Sequence, residues 1–185
     1  MMFVDLPYSL LVNGEERPIY CDFRDVVLIC NAFNDPELTA SDKTLIMLNN
    51  LYVDNWMEFG NVEEAIKQAS WFIDWGKEYK EEQRNTPRIM DWEQDFNMIV
   101  AAVDKSVKTA ESCLELPFMH WWTFLTKFSE RGECQFSSIT DIREKIAKGK
   151  KLDTWEKEVL RDNRDQIILK NKANEEFEKE IFGGE

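Results

Sequence analysis

The residues with the means to do chemistry are few and widely spread. Asp91, Glu93 and Asp95 form a carboxylate triplet, His120 is the single histidine, and Cys21, Cys30, Cys113 and Cys134 are the four thiols. Paired carboxylates suit a divalent cation or an acid/base pair. However, residues at i, i+2 and i+4 do not share one helix face, so only Asp91 and Asp95 align. A carboxylate-rich first turn is also what the positive end of a helix attracts, and the spacing of Asp91 to Gln94 fits a capping box. An imidazole titrates near neutral pH and can act as a general base. Yet no nucleophile elbow or glycine-rich loop surrounds His120, and no Walker, Rossmann or HExxH pattern occurs. With one histidine, clustered-histidine metal sites and histidine dyads are excluded. The cysteines show no CxxC spacing, which points to free thiols in a reducing compartment and away from structural zinc. The expectation is therefore a chain without catalytic, cofactor or metal residues, the remaining enzyme reading being a metal-dependent hydrolase on Asp91 and Asp95.

The elements that would position any site are mostly helical. The stretch "YSLLVNGEERPIYCDF" predicts a β-hairpin over 8–23, because Asn13-Gly14 accepts the positive φ angles of a tight turn. Two strands are marginal alone, so the hairpin must lie on helices or pair with another chain. From Asp22, a plausible N-cap, the period changes: Phe23, Val26, Val27, Cys30 and Phe33 recur at helical spacing. A second helix follows Pro36, with Ser41 as its expected cap and Leu45, Leu48 and Tyr52 apolar. A third carries Val62, Ile66, Ala69, Phe72 and Ile73 and ends near Gly76. The polar stretch 77–88 reads as a mobile connector, and "DWEQDFNMIVAAVDKSV" opens the next helix.

"PFMHWWTFLTKF", residues 117–128, is the densest apolar run. A helix from Pro117 places Phe118, Trp121, Trp122, Leu125 and Phe128 on one face, with Phe124 roughly 60° outside it at about 100° per residue. Packing into a core is the default. Two indoles about 100° apart leave open that one lines a groove for a partner. After a short helix and a break at Gly149, a long charged helix is expected from about Leu152. Its stripe of Trp155, Val159, Leu160, Ile167 and Ile168 is thin, which predicts docking of its first part on the Trp121–Phe128 region and a mobile end beyond Lys170. The resulting fold class is mainly α: a helical domain over 1–151 with an N-terminal hairpin, and a long C-terminal helix over 152–185.

Charge bounds the partners. The 185 residues carry a formal net charge of -13, which disfavours nucleic acid and suits a soluble protein or one that meets a basic partner. Residues 1–100 account for -11 and residues 101–185 for -2, and within 143–172 ten Lys or Arg face six Asp or Glu. That segment reads either as a basic patch or as a solvated helix face of mixed charge. No 18-residue apolar run exists, and Asp5 and Pro7 interrupt any signal-peptide core, so no membrane partner and a cytoplasmic location are expected.

Five blocks, in order, resemble the bacteriophage gene-product-fifteen family of phages and prophages of Gram-positive bacteria. They are "VNGEERPIYCDFRDVV", "AIKQASWFIDWGKE", "DWEQDFNMIVAAV", "HWWTF" and "FSSITDIREKIAKGKKLDTWEKEVLRDNRDQI". The resemblance spans roughly residues 10–172, and its motifs are aromatic and charged rather than catalytic. It implies a tail assembly chaperone, encoded between the major tail protein and the tape-measure protein. Such a protein binds the apolar, helical tape measure, recruits tail-tube subunits and is absent from the mature virion. The alternative is a structural tail or connector protein that stays in the particle. Expected partners are the tape-measure protein and the major tail protein, with self-association possible. Trp121, Trp122, Phe124, Phe128, Trp155 and Leu160 are the expected partner-contact residues, drawn from the apolar pattern rather than from the family.

Overall fold

A computed structural model describes residues 5–77, 87–107 and 111–170. Asn13 and Gly14 take φ of +51° and +78°, the left-handed pair that a two-residue hairpin turn requires. They join β1 (Ser9–Val12) to β2 (Glu15–Pro18) in antiparallel register, Ser9 opposite Pro18 and Val12 opposite Glu15. Beyond β2, Ile19 bridges Tyr52, and Val53 donates its N–H to the Pro18 carbonyl. The hairpin therefore gains a third short segment from its own chain, and Leu10, Val12 and Ile19 are buried beneath it.

Helix α1 (Phe23–Asn34) starts at Asp22, whose carboxylate accepts from the Arg24 N–H as the sequence predicts. Helix α2 (Ala40–Leu51) is capped two residues earlier than expected. Thr39, not Ser41, is the N-cap, in a reciprocal capping box with Asp42. A 3-10 turn (Trp56–Glu58) leads to α3 (Val62–Ile73). Helix α4 (Phe96–Val107) follows, then α5 (Trp121–Ser129) and α6 (Gln135–Ala147). Helices α1 and α2 pack together, as do α4 and α5, and α3 lies along β1. Their apolar faces form one core, from Leu10 through Phe72, Val103 and Trp121 to Phe136. The fold is mainly α with one small hairpin, as the periodicity predicts.

The C-terminal part departs from expectation. Among the described residues the single long helix is two short ones, α7 (Thr154–Asp162) and α8 (Arg164–Ile167), broken at Asn163. Asn163 adopts φ -124° and ψ 33°, outside the helical region, and its side-chain amide donates to the Val159 carbonyl. The bend turns Leu169 inward. Leu160 and Ile167 pack with Ile139 and Ile142 of α6 in a second cluster, to which Met98 of α4 also adds. This segment thus rests on α6 rather than on the Trp121–Phe128 helix. The expected tail beyond Lys170, and residues 78–86 of the expected connector over 77–88, lie outside the described residues.

Candidate functional site: two polar hubs and an apolar surface

The first hub is built on His120, which is 2% exposed. The chain at Asp22 bridges the chain at His120. Trp121 donates its N–H to the Cys21 carbonyl at 2.7 Å, and Phe23 donates to the Met119 carbonyl at 2.9 Å. The starts of α1 and α5 are thereby pinned side by side, and the second carboxylate oxygen of Asp22 accepts from the Met119 N–H at 3.0 Å. His120 itself is the N-cap of α5: its Nδ1 accepts from the Trp122 N–H at 3.1 Å. Its Nε2 lies 2.9 Å from the Pro7 carbonyl. A carbonyl can only accept, so Nε2 carries the proton and the ring is neutral. Burial pushes its pKa down, and the Pro7 hydrogen bond offsets part of that. Tyr8 and Phe72 pack edge-on against the ring. Both ring nitrogens are engaged, and His120 serves as a structural cap. Helices favour Asn, Asp, Ser or Thr at this position, which is why the sequence did not reveal it.

Trp121 and Trp122 also act as caps, in a way not legible from the apolar pattern. Their indole N–H groups donate to the carbonyls of Ile73 and Phe72, both at 2.9 Å. Both carbonyls lie at the end of α3, where intrahelical donors run out, and that of Phe72 also accepts from the Trp75 N–H. Gly76 makes room: at φ +72°, a Cβ there would sit 3.1 Å from the Trp122 ring. Helix α5 begins at Trp121 rather than Pro117, and Phe118 is left exposed. Phe124, expected outside the buried face, is fully buried and stacks on Phe23 with ring centroids 4.4 Å apart. The helix is enclosed on a wider arc than one amphipathic stripe, with Trp92 against Trp121 and Phe128.

The second hub joins α4 to the C-terminal segment. Asp95 and Arg143 are both buried and form a forked pair at 2.6 and 2.8 Å. Arg143 also donates to the carbonyls of Ile89, Ile167 and Gln166. Asp91 caps the turn before α4 through the N–H groups of Glu93 and Gln94, and it pairs with Arg88. The reciprocal half of the expected capping box comes from Asp95, which accepts from the Asp91 N–H. Gln94 instead reaches the C-terminal segment. Its amide donates to the carbonyls of Asp165, Gln166 and Ile168, and its oxygen accepts from the Lys170 N–H. The carboxylates of Asp91 and Asp95 are thus committed to arginines and backbone amides. Among the described residues, no three His, Cys, Asp or Glu side chains come together as metal ligands would.

All four cysteines are free, three of them buried. Burial drives the thiols of Cys30 and Cys113 up to about 12. Burial also acts on Cys134, but hydrogen bonds from Ser137 and the Phe136 amide, with the nearby Arg131 charge, bring it below an ordinary thiol.

Of the six residues expected to meet a partner, Trp121, Trp122, Phe124 and Leu160 are buried and Phe128 is partly so. Trp155 alone of the six is exposed, at 57%. Other large apolar side chains that face solvent include Leu28 and Phe33 on α1, Leu45 on α2, Leu11, Tyr20 and Val53 in the hairpin region, Met57 in the 3-10 turn and Phe118 before α5. Among the described residues, no helix is long and apolar enough to cross a membrane.

No curated protein and no solved structure matches the chain significantly. A protein-family model does, over residues 3–169, which takes in the hairpin, both hubs and the C-terminal segment up to Leu169. The chain belongs to the family described as Bacteriophage Gp15 protein.

Proposed function

We propose that this phage protein is a tail assembly chaperone. It holds a long, apolar, helical tape-measure protein in solution, brings tail-tube subunits to it and leaves before the particle is complete. The observation that carries the reading is the combination of half-exposed apolar side chains with a net charge of -13. Leu28, Phe33, Leu45, Phe118 and Trp155 offer apolar contact to a helical client, while the charge keeps the loaded complex dispersed. The polar groups with chemical potential support a binding role, because His120, Asp91 and Asp95 are all spent on holding helices in place.

Co-expression with the tape-measure gene of the same phage tests this. The tape-measure protein is expected to be insoluble alone and to co-purify with this chain when both are made. Mass spectrometry of purified virions provides the second readout. Absence from the particle fits a chaperone, whereas stoichiometric retention fits a structural tail component and overturns the proposal.

A further inference from the structure

Two exposed features of the chain are chemically complementary to each other. The first is the outer face of the hairpin. Strand alternation turns Leu10, Val12 and Ile19 inward and Leu11 outward, and Val53, opposite Pro18, shares the outer face with Tyr20. Leu11, Tyr20 and Val53 are each close to half exposed. Glu16, directly across from Leu11, and Asp54, next to Val53, are exposed beside them. This is an apolar sheet face with an acidic margin, in the half of the chain that carries -11.

The second feature is the corner between α6 and α7. Gly149 turns the chain at φ +63°. Lys150 and Lys151 are exposed there, and Trp155 stands 57% exposed in the first turn of α7. Thr154 and Trp155 begin a helix fixed by the Asp153–Glu156 capping box, so the indole is carried on a preorganised element. The surrounding segment, 143–172, holds ten Lys or Arg against six Asp or Glu. An indole beside two lysines is matched by an apolar patch beside two carboxylates.

We propose that the α6–α7 corner of one copy docks on the hairpin face of a second copy. Trp155 covers Leu11, Tyr20 and Val53, while Lys150 and Lys151 meet Glu16 and Asp54. The two surfaces differ, so the contact is head-to-tail, and each added copy presents a fresh face and a fresh corner. Both patches are small, which makes the association concentration-dependent rather than obligate. The inference stands independently of any tail client, since it uses only this chain.

Complementing variants test it in the full chain by sedimentation analysis. Wild type is expected to gain mass with concentration and to lose it as salt is raised. Trp155→Ala and Leu11→Glu should each stay monomeric. Mixing the two should restore a one-to-one dimer and nothing larger, because only one intact face and one intact corner remain. Circular dichroism melting confirms that both variants fold. If either does not, Lys150→Glu/Lys151→Glu, tested with and without Glu16→Lys/Asp54→Lys, supplies the same comparison. A wild type still monomeric at about 1 mM, the weak end of specific association, overturns the proposal. So does self-association that both variants retain, or a mixture that remains monomeric.

Discussion

Arg143 and Asp95 lie 48 positions apart in sequence and form a forked ion pair with almost no exposure to solvent. The same guanidinium holds the carbonyls of Ile89, Ile167 and Gln166. A buried pair of this kind adds less net stability than its geometry suggests, but removing one partner strands the other charge. Asp95→Asn and Arg143→Met are each expected to lower stability by about 3–5 kcal/mol. Chemical denaturation of the single and double variants checks this, the double variant losing less than the sum of the two.

His120 gives the fold a pH dependence with a definite sign. Its folded-state pKa is depressed by burial, so the unfolded chain binds more protons between the two values and stability rises with pH there. The stabilisation from the neutral cap is present above the unfolded value of about 6.5 and is lost as pH falls below it. His120→Asn keeps an acceptor for the Trp122 N–H without titrating. Its melting temperature is expected to vary less between about pH 5 and 7 than that of wild type. An equal slope for both proteins would refute the assignment.

Trp122→Ala is expected to destabilise the fold by about 3–5 kcal/mol. The indole is buried, stacks on Phe72 and donates to its carbonyl at the end of α3. Trp122→Phe should cost less, because ring packing survives while the donated hydrogen bond is lost. Thermal melting orders the two. Any loss of client binding should track the melting temperature, since this side chain does not reach the surface.

The thiols should separate by reactivity. Cys134 is partly exposed and its pKa lies below the ordinary value, whereas Cys30 and Cys113 are buried and raised to about 12. Alkylation of the native protein near neutral pH, followed by peptide mass spectrometry, is expected to modify Cys134 well before the other two. Modification of Cys30 at the same rate would contradict the packing of α1.

The features legible in the sequence are those set by neighbours along the chain. Asn13-Gly14 dictates a tight turn because both residues tolerate positive φ, and Asp22 caps α1 through an amide two residues away. Helical periodicity located the helices of the main core. The missed features are carried by distant partners. The imidazole of His120 is fixed by Pro7, 113 positions away, and Trp121 and Trp122 cap a helix that ends nearly fifty residues earlier. An apolar pattern reports that an indole is buried but not that its N–H has a task. Periodicity also places Phe33, Leu45, Phe118 and Trp155 on apolar helix faces, yet all four are exposed to solvent. Leu160 and Ile167, seven apart, suggested one continuous helix, and the deviation at Asn163 left no trace in that spacing.

Gln94 makes the strongest case for a clasp that sequence spacing concealed. It was expected to complete the cap of α4, yet its side-chain amide spans three carbonyls of the C-terminal segment while its oxygen accepts from Lys170. Residues 164–170 have only one turn of helix, so their order depends on side chains that reach in from the turn before α4 and from α6. Gln94 supplies one set, Arg143 holds the carbonyls of Gln166 and Ile167, and Gln135 donates to the Gln166 side chain. Gln94→Ala removes one set of contacts without touching the ion pair. Amide hydrogen exchange over 164–170 is expected to accelerate in that variant while α1 and α5 keep wild-type protection, with global stability falling by about 1–3 kcal/mol for the stranded backbone groups. Arg143→Met should accelerate the same amides and also lower the global transition, because it uncovers the Asp95 charge. Unchanged exchange over 164–170 in Gln94→Ala would show that the apolar contacts of Ile167 and Leu169 hold the segment alone.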